Sequence, residues 1–107
     1  MFRNFPRFIK VGNIHVRVEF QEDVSDDTAW GNYSATHFRI RLQDNIPCTG
    51  KAIEVVLHEI LHAIFHCSDM KDADDEERTV ATFATWLTMV LVDNPQLMRW
   101  LSCATKT

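Results

Sequence analysis

The sequence predicts a small α+β fold in which a three-stranded antiparallel sheet is followed by three helices. Apolar residues alternate with polar ones early in the chain, and a Gly-Asn pair separates two of these alternating runs. From residue 51 onward the apolar spacing becomes helical. This change of period occurs once, so strands and helices are expected in two consecutive blocks. A chain of 107 residues is expected to form one domain, residues 1–107, around a single core.

The predicted strands follow from the two-residue alternation. Residues 14–20 alternate apolar and polar side chains, and residues 8–11 precede them across Gly12 and Asn13, a two-residue hairpin signal. A third strand is predicted from Phe38 to Leu42, where apolar residues alternate with His and Arg. Residues 21–36, between the second and third strands, are rich in Asp, Ser, Asn and Gly and predict a long loop. Long loops in small domains are often functional.

Three helices are predicted after the strands. Residues 51–66 contain no Gly or Pro, and their apolar residues cover most of a helical circumference, which predicts a helix buried on most sides. Thr49, or Thr49 with Gly50, is expected to cap it. A polar turn at residues 67–75 leads to a second helix over residues 76–92. Asp93-Asn94-Pro95 ends that helix and begins a short last helix over residues 95–103.

Composition favours an ordinary cytoplasmic globular protein. The hydrophobic fraction is 46% and the charged fraction 24%, both typical of that class. The longest apolar stretch, residues 80–92, is too short and too rich in Thr to cross a membrane, and the N-terminus lacks an apolar signal-peptide core. The three cysteines show no CxxC spacing, so a disulfide framework is not expected and a reducing cytosol is.

Charge is distributed unevenly along the chain. Residues 1–53 carry seven Lys and Arg against six Asp and Glu, whereas residues 54–107 carry four against nine. No basic run of the kind that binds nucleic acid occurs, so neither a nucleic-acid partner nor a membrane partner is expected. Arg17, Arg39 and Arg41 form at most a small basic patch on the predicted strands.

The segment His58-Glu59-Ile60-Leu61-His62 is an HExxH motif on the predicted first helix. Two histidines four residues apart lie on one face of a helix, so both imidazoles can reach a single metal ion. The intervening Glu59 then points at the metal's water, where it can act as general base. The alternative is an ordinary solvated face. Such faces normally carry Lys, Glu and Gln, whereas the centre of this one is histidine flanked by apolar residues.

A catalytic zinc needs a third protein ligand, and the second helix offers the best candidates. Glu76 shares a face with Val80, Phe83 and Leu87, so it is predicted to lie on the buried face, where a carboxylate needs a partner. Glu77, at the edge of that face, is the second choice. Both glutamates also suit a simpler role beside the helix dipole. The remaining candidates are Asp69, Asp72 and His66, the last of which a straight helix carries about 6 Å past the metal.

Strands, an HExxH helix and a second helix with a Glu ligand resemble a minimal form of the gluzincin zinc metallopeptidases. Residues 50–66 and 74–101 are also similar to small metallopeptidase-like proteins encoded by bacteriophages and prophages. The resemblance implies a zincin-like catalytic domain in which His58 and His62 bind zinc and Glu59 is the catalytic base. It further implies that an extended substrate pairs with the strand from Phe38 to Leu42, and that the location is the host cytosol if the chain is phage-encoded.

The expected function is therefore zinc-dependent hydrolysis of peptide bonds in a peptide or protein substrate. No Tyr or His is obviously placed to stabilise an oxyanion, since Tyr33 is the one tyrosine of the chain and lies in the predicted loop. Tyr33 and His37 are the candidates for that role. The alternative is a catalytically inactive zinc-binding protein that acts as a protein-interaction module. An open cleft at Glu59 favours the enzyme, and a closing segment over Glu59 favours the module. The sequence indicates neither the substrate nor the oligomeric state.

Overall fold

A computed structural model describes residues 1–22, 30–69 and 76–106, with the side chains of Glu76, Glu77 and Val80 outside that description. Four strands and three helices follow one another in the described residues. The strands are β1 (Phe8–Val11), β2 (Ile14–Gln21), β3 (Gly31–Ser34) and β4 (Arg39–Gln43). The helices are α1 (Thr49–Cys67), α2 (Glu76–Asp93) and α3 (Pro95–Ala104).

The sheet is mixed and has four strands in the order β1-β2-β4-β3. β1 and β2 form the predicted hairpin, but β4 runs parallel to β2, and β3 pairs antiparallel to β4 at the end of the sheet. The α+β class is confirmed, whereas the prediction of three antiparallel strands is wrong. The additional strand reverses the chain before β4, so β4 returns in the same direction as β2.

The missed strand β3 lies inside the segment predicted as a loop. Its four residues, Gly-Asn-Tyr-Ser, are all partly buried and show no alternation between apolar and polar side chains. The two-residue period that identifies a half-buried strand is therefore absent. Phe38, predicted to begin the next strand, has a φ of 50°, in the left-handed region and not the extended one, and lies in the turn before Arg39.

Helix α1 differs from the prediction at its N-terminus and on one side. Cys48 is the N-cap residue and makes no side-chain cap hydrogen bond, and Thr49 is already the first helical residue, so the predicted cap is wrong. Leu57 and Leu61 are 36% and 40% exposed, which corrects the prediction of burial on most sides. The buried side of α1 is narrower because it faces mainly the sheet. Its buried apolar residues are Ala52, Val55, Val56, Ile60, Ala63 and Ile64.

Asn94, between α2 and α3, ties the helices to the first strand. Its side chain accepts a hydrogen bond from the Lys10 N–H at 2.8 Å and donates one to the Lys10 carbonyl at 2.9 Å. It also donates to the Val90 carbonyl at 2.7 Å, and only 7% of the residue is exposed. A buried amide needs this number of partners, and here it binds both backbone groups of one strand residue as a neighbouring strand would.

One apolar core lies between the sheet and the helices. Alternate residues of the strands supply one side of it, with Val11, Val16 and Leu42 fully buried. At the hairpin, Gly12 has a φ of 62°, and a Cβ there would lie 2.5 Å from the Trp86 ring of α2. Glycine is required at this position by both the turn and the packing. In the part of the chain that the structure describes, no helix has the length and apolar character needed to cross a membrane.

Candidate metal centre

His58 and His62 meet on the exposed side of α1. Their Nε2 atoms are 3.1 Å apart, and their ring centroids are 4.7 Å apart with the planes inclined at 74°. The four-residue spacing brings both side chains to one face of the helix, with the two Nε2 atoms next to each other. In the hydrogen bond between the rings, an Nε2–H of one imidazole donates to the Nε2 lone pair of the other.

This geometry fits a zinc ion. Two nitrogen ligands at 2.0–2.1 Å from a tetrahedral zinc are about 3.3 Å apart. The observed 3.1 Å separation of the two Nε2 atoms is close to that value. The pair therefore needs little rearrangement to bind a metal, and binding would replace the hydrogen bond between the rings by two metal–nitrogen bonds.

Glu59 lies beside the histidine pair but is turned into the protein, with only 5% of its surface exposed. Burial raises the pKa of its carboxyl group, and the neighbouring His58 and His62 act in the opposite direction by lowering it. A carboxylate held this way has few competing solvent contacts and an increased proton affinity. Both properties suit a group that must take up a proton.

Two adjoining cavities, of about 260 and 430 Å³, meet at Gly31, His58 and Glu59. We call them together the motif cleft. Helix α1 forms one wall and β3 forms the other, and the larger cavity is also bordered by His62 and Tyr33. The cleft is large enough to admit a segment of extended peptide beside the histidine pair.

Gly31 allows β3 to approach the motif helix closely. A Cβ at this position would lie 3.0 Å from the Val55 side chain on α1 and 3.0 Å from the Arg41 carbonyl on β4. These distances are shorter than ordinary van der Waals contacts. The absence of a side chain at residue 31 therefore sets the width of the motif cleft. Gly31 was predicted to lie in a loop, and the residues around it, Trp30-Gly31-Asn32, carry no periodic signal of this packing role.

Tyr33 and His37, the two oxyanion candidates, lie in different surroundings. The Tyr33 hydroxyl lies 2.8 Å from His66 Nδ1 in the wall of the cleft. Burial raises the pKa of Tyr33 to about 12, and the adjacent Cys67 thiol contributes to this shift. His37 Nδ1 instead lies 3.1 Å from the Ser34 hydroxyl, outside both cavities. Tyr33, and not His37, borders the larger cavity together with the histidine pair.

The third ligand is not defined by the described residues. Helix α2 begins at Glu76, as the argument for Glu76 over Glu77 requires, but both side chains lie outside the described part of the structure, as does Asp72. Asp69 and His66 are described, and neither forms a three-residue metal-binding group with the motif histidines. Helix α1 continues unbroken through His66, and the His66 side chain contacts Tyr33.

Comparison of the chain with models of known protein families, with curated proteins and with solved structures found no match.

Proposed function

We propose that this protein is a zinc-dependent metallopeptidase. The observation that carries the proposal is the convergence of His58 Nε2 and His62 Nε2 at 3.1 Å, next to Glu59 in an accessible cleft. We propose a cytoplasmic location, in the host cytosol if a phage encodes the chain.

The proposed roles follow from the positions of the side chains. His58 and His62 hold the zinc with a carboxylate from the start of α2, for which Glu76 is our first choice and Glu77 our second. When bound, zinc supplies Lewis acidity that lowers the pKa of water and polarises a carbonyl group. Glu59 accepts the proton of the attacking water and delivers it to the leaving amine. The Tyr33 hydroxyl, in the cleft wall, donates a hydrogen bond to the oxygen on which negative charge develops.

We propose that the substrate pairs with β3. The resemblance to gluzincins implied pairing with the strand from Phe38 to Leu42, which corresponds to β4, but β4 is paired with β2 on one side and with β3 on the other. Strand β3 ends the sheet and borders the motif cleft. An extended peptide added along β3 would use its main-chain groups for pairing and pass the histidine pair.

The alternative function, a zinc-binding interaction module without catalysis, is favoured by one observation. Glu59 is only 5% exposed, so a water molecule has limited room at its carboxylate unless the cleft opens. In that case, zinc would stabilise the fold and the motif cleft would bind a protein without cutting it. The two functions differ in whether Glu59 is required for a chemical step.

Cleavage of an unfolded protein such as casein by the zinc-loaded chain tests the proposal. We expect cleavage that Glu59→Gln abolishes while zinc content stays at about one per chain, because Glu59 moves a proton and does not coordinate. His58→Ala and His62→Ala should lose both zinc and activity. Cleavage by Glu59→Gln at the parent rate would show that the assigned base is wrong. Zinc binding without any cleavage by the parent, across a panel of unfolded proteins, would favour the interaction module.

A further inference from the structure

Three arginines surround one glutamate on the face of the sheet opposite the helices. Guanidinium nitrogens of Arg17, Arg39 and Arg41 lie 3.9, 3.7 and 3.4 Å from the Glu19 carboxylate. Arg17 is the cross-strand neighbour of Arg39, and Glu19 is that of Arg41. We call these four residues the arginine face. Three positive charges against one negative charge leave it with an excess of two.

The Glu19 carboxylate neither neutralises the charge of the three arginines nor accepts hydrogen bonds from all of them. Two like charges that are direct cross-strand neighbours, such as Arg17 and Arg39, repel each other unless an anion lies between them. The Arg39 Nε atom is buried and has no hydrogen-bond partner among the described residues. The Arg17 side chain is 61% exposed. The exposed Arg17 guanidinium therefore offers N–H donors, and the arginine face as a whole offers the excess positive charge, that a second anion can use.

An apolar cleft adjoins the arginine face and shares Arg17 with it. The cleft has a volume of about 410 Å³ and is lined by Phe5, Arg7, Phe8, Arg17, Val18 and Phe20. Phe8 and Phe20 are 48% and 39% exposed, and the Arg17 guanidinium lies 5.9 Å from the centre of the Phe8 ring. Exposed aromatic rings beside cationic side chains are typical of protein-binding surfaces.

We propose that the arginine face and this cleft together bind an acidic segment of a partner protein. A large apolar side chain of the segment enters the cleft, and the neighbouring Asp or Glu carboxylates bind Arg17, Arg39 and Arg41. The planar guanidinium group matches a carboxylate with two parallel hydrogen bonds. This surface shares no residue with the motif cleft, so it does not depend on the proposed peptidase activity.

A nucleic acid fits the same surface less well. Glu19 lies at the centre of the arginines and would repel a phosphate backbone. The described aromatic rings of this surface lie in the apolar cleft and not among the arginines, whereas single-stranded nucleic acids are bound by aromatic platforms that follow a basic groove. The whole chain also carries a net charge of −4.

Fluorescence anisotropy with a labelled peptide rich in Asp and Glu around one Trp tests the proposal. We expect saturable binding that weakens as salt is added, and no binding of a matched peptide with Lys in place of Asp and Glu. The double variant Arg17→Ala/Arg41→Ala should weaken binding by about tenfold or more. Arg99→Ala, an exposed site on α3, is the control and should leave binding unchanged.

A second variant is expected to strengthen peptide binding and not to weaken it. Glu19→Gln removes the carboxylate that competes for the three guanidinium groups, so it should tighten binding of the acidic peptide several-fold. This outcome decides the matter if the double arginine variant loses its circular-dichroism signal and cannot be used. Unchanged or weaker binding by Glu19→Gln, equal binding of the lysine peptide, or tighter binding of a thymidine oligonucleotide would each overturn the proposal.

Discussion

His58, Glu59 and His62 were identifiable from the sequence because their arrangement depends only on helical geometry. A spacing of four residues fixes the two histidines on one face, and the structure shows their Nε2 atoms 3.1 Å apart. The environment of Glu59 was less accessible to sequence reasoning. Strand β3, which packs against α1 and borders the same cavity as Glu59, was not predicted. The spacing of residues along one helix can be read from the sequence, whereas the strand that forms the opposite wall of the cleft cannot.

Tyr33→Phe tests the role of the tyrosine in the cleft wall. We expect kcat for peptide cleavage to fall by about tenfold to a hundredfold with little change in KM, because one donor to the developing oxyanion is lost. Zinc content should be unchanged, since Tyr33 contacts His66 and not the motif pair. Steady-state kinetics and elemental analysis of the same preparation measure both.

The pH dependence of the parent separates Tyr33 from other groups. Burial raises the pKa of Tyr33 to about 12, so its hydroxyl stays protonated and able to donate throughout the range in which the fold can be assayed. A loss of activity between neutral pH and pH 10 that disappears in Tyr33→Phe would contradict this assignment. His37→Ala is the matched control, and we expect it to retain activity because His37 lies outside the cleft.

Glu76→Ala and Glu77→Ala test the third ligand. Glu76 remains our first choice because α2 begins at Glu76, which keeps this residue in phase with Phe83 and Leu87. The variant that removes the true ligand should lose zinc affinity by about tenfold to a hundredfold or more, by analogy with the loss of supporting residues at metal sites. The other variant should change affinity only as a neighbouring charge does.

Competition with a coloured zinc chelator measures both affinities directly. If Glu77→Ala produces the larger loss, the phase assignment is wrong by one residue. If neither glutamate matters, the ligand is Asp69, Asp72 or His66, and the resemblance to gluzincins no longer holds for this chain.

At the scale of secondary structure, the two hairpin strands and the three helices were predicted because each has a regular period or a clear stop signal. Strand β3 was not predicted, since it is held by pairing with β4 and by contact with α1, and neither interaction leaves a two-residue period in its own four residues. The direction of β4 was predicted wrongly for the same reason, because the chain reverses once more when β3 is present. Propensity and period report a strand's own residues, whereas a short edge strand is stabilised mainly by its neighbours.

Gly31→Ala tests the close packing of β3 on α1. The added Cβ would meet the Arg41 carbonyl and the Val55 side chain at 3.0 Å, and a backbone oxygen in a paired strand cannot easily yield. We expect the free energy of unfolding in urea to fall by about 1–3 kcal/mol. Activity should fall as well, because the strand that borders the cleft is displaced.

Gly50→Ala is the matched control for this substitution. A Cβ at Gly50, within the first turn of α1, meets nothing within 4 Å. The same chemical change should therefore leave stability unchanged or raise it by about 0.4–1 kcal/mol through the unfolded state. Equal stability of Gly31→Ala and the parent would show that the narrow approach is not required.

For the molecule as a whole, zinc binding should increase the free energy of unfolding. A ligand that binds only the folded chain stabilises it by about 2.7 kcal/mol when present at a hundred times its dissociation constant. We therefore expect thermal unfolding to shift upward with added zinc. The shift should disappear on acidification, because protons compete with the metal for the imidazole nitrogens.

Differential scanning calorimetry with and without zinc, at neutral and acidic pH, measures this effect. The double variant His58→Ala/His62→Ala is the control and should show no shift at either pH. A zinc-induced shift that survives in this variant would place the metal elsewhere in the chain.

Asn94 has a consequence for how copies of this chain can associate. A sheet with two open edges acts as a template on both sides, and pairing through such edges can continue from copy to copy into a fibre. Here the Asn94 side chain occupies the N–H and carbonyl of Lys10 in β1. In two copies joined through β3, the outer edges would both be β1, whose central backbone groups are already hydrogen-bonded to Asn94. Association through sheet edges would therefore stop at a dimer, because one amide side chain blocks the addition of a third copy.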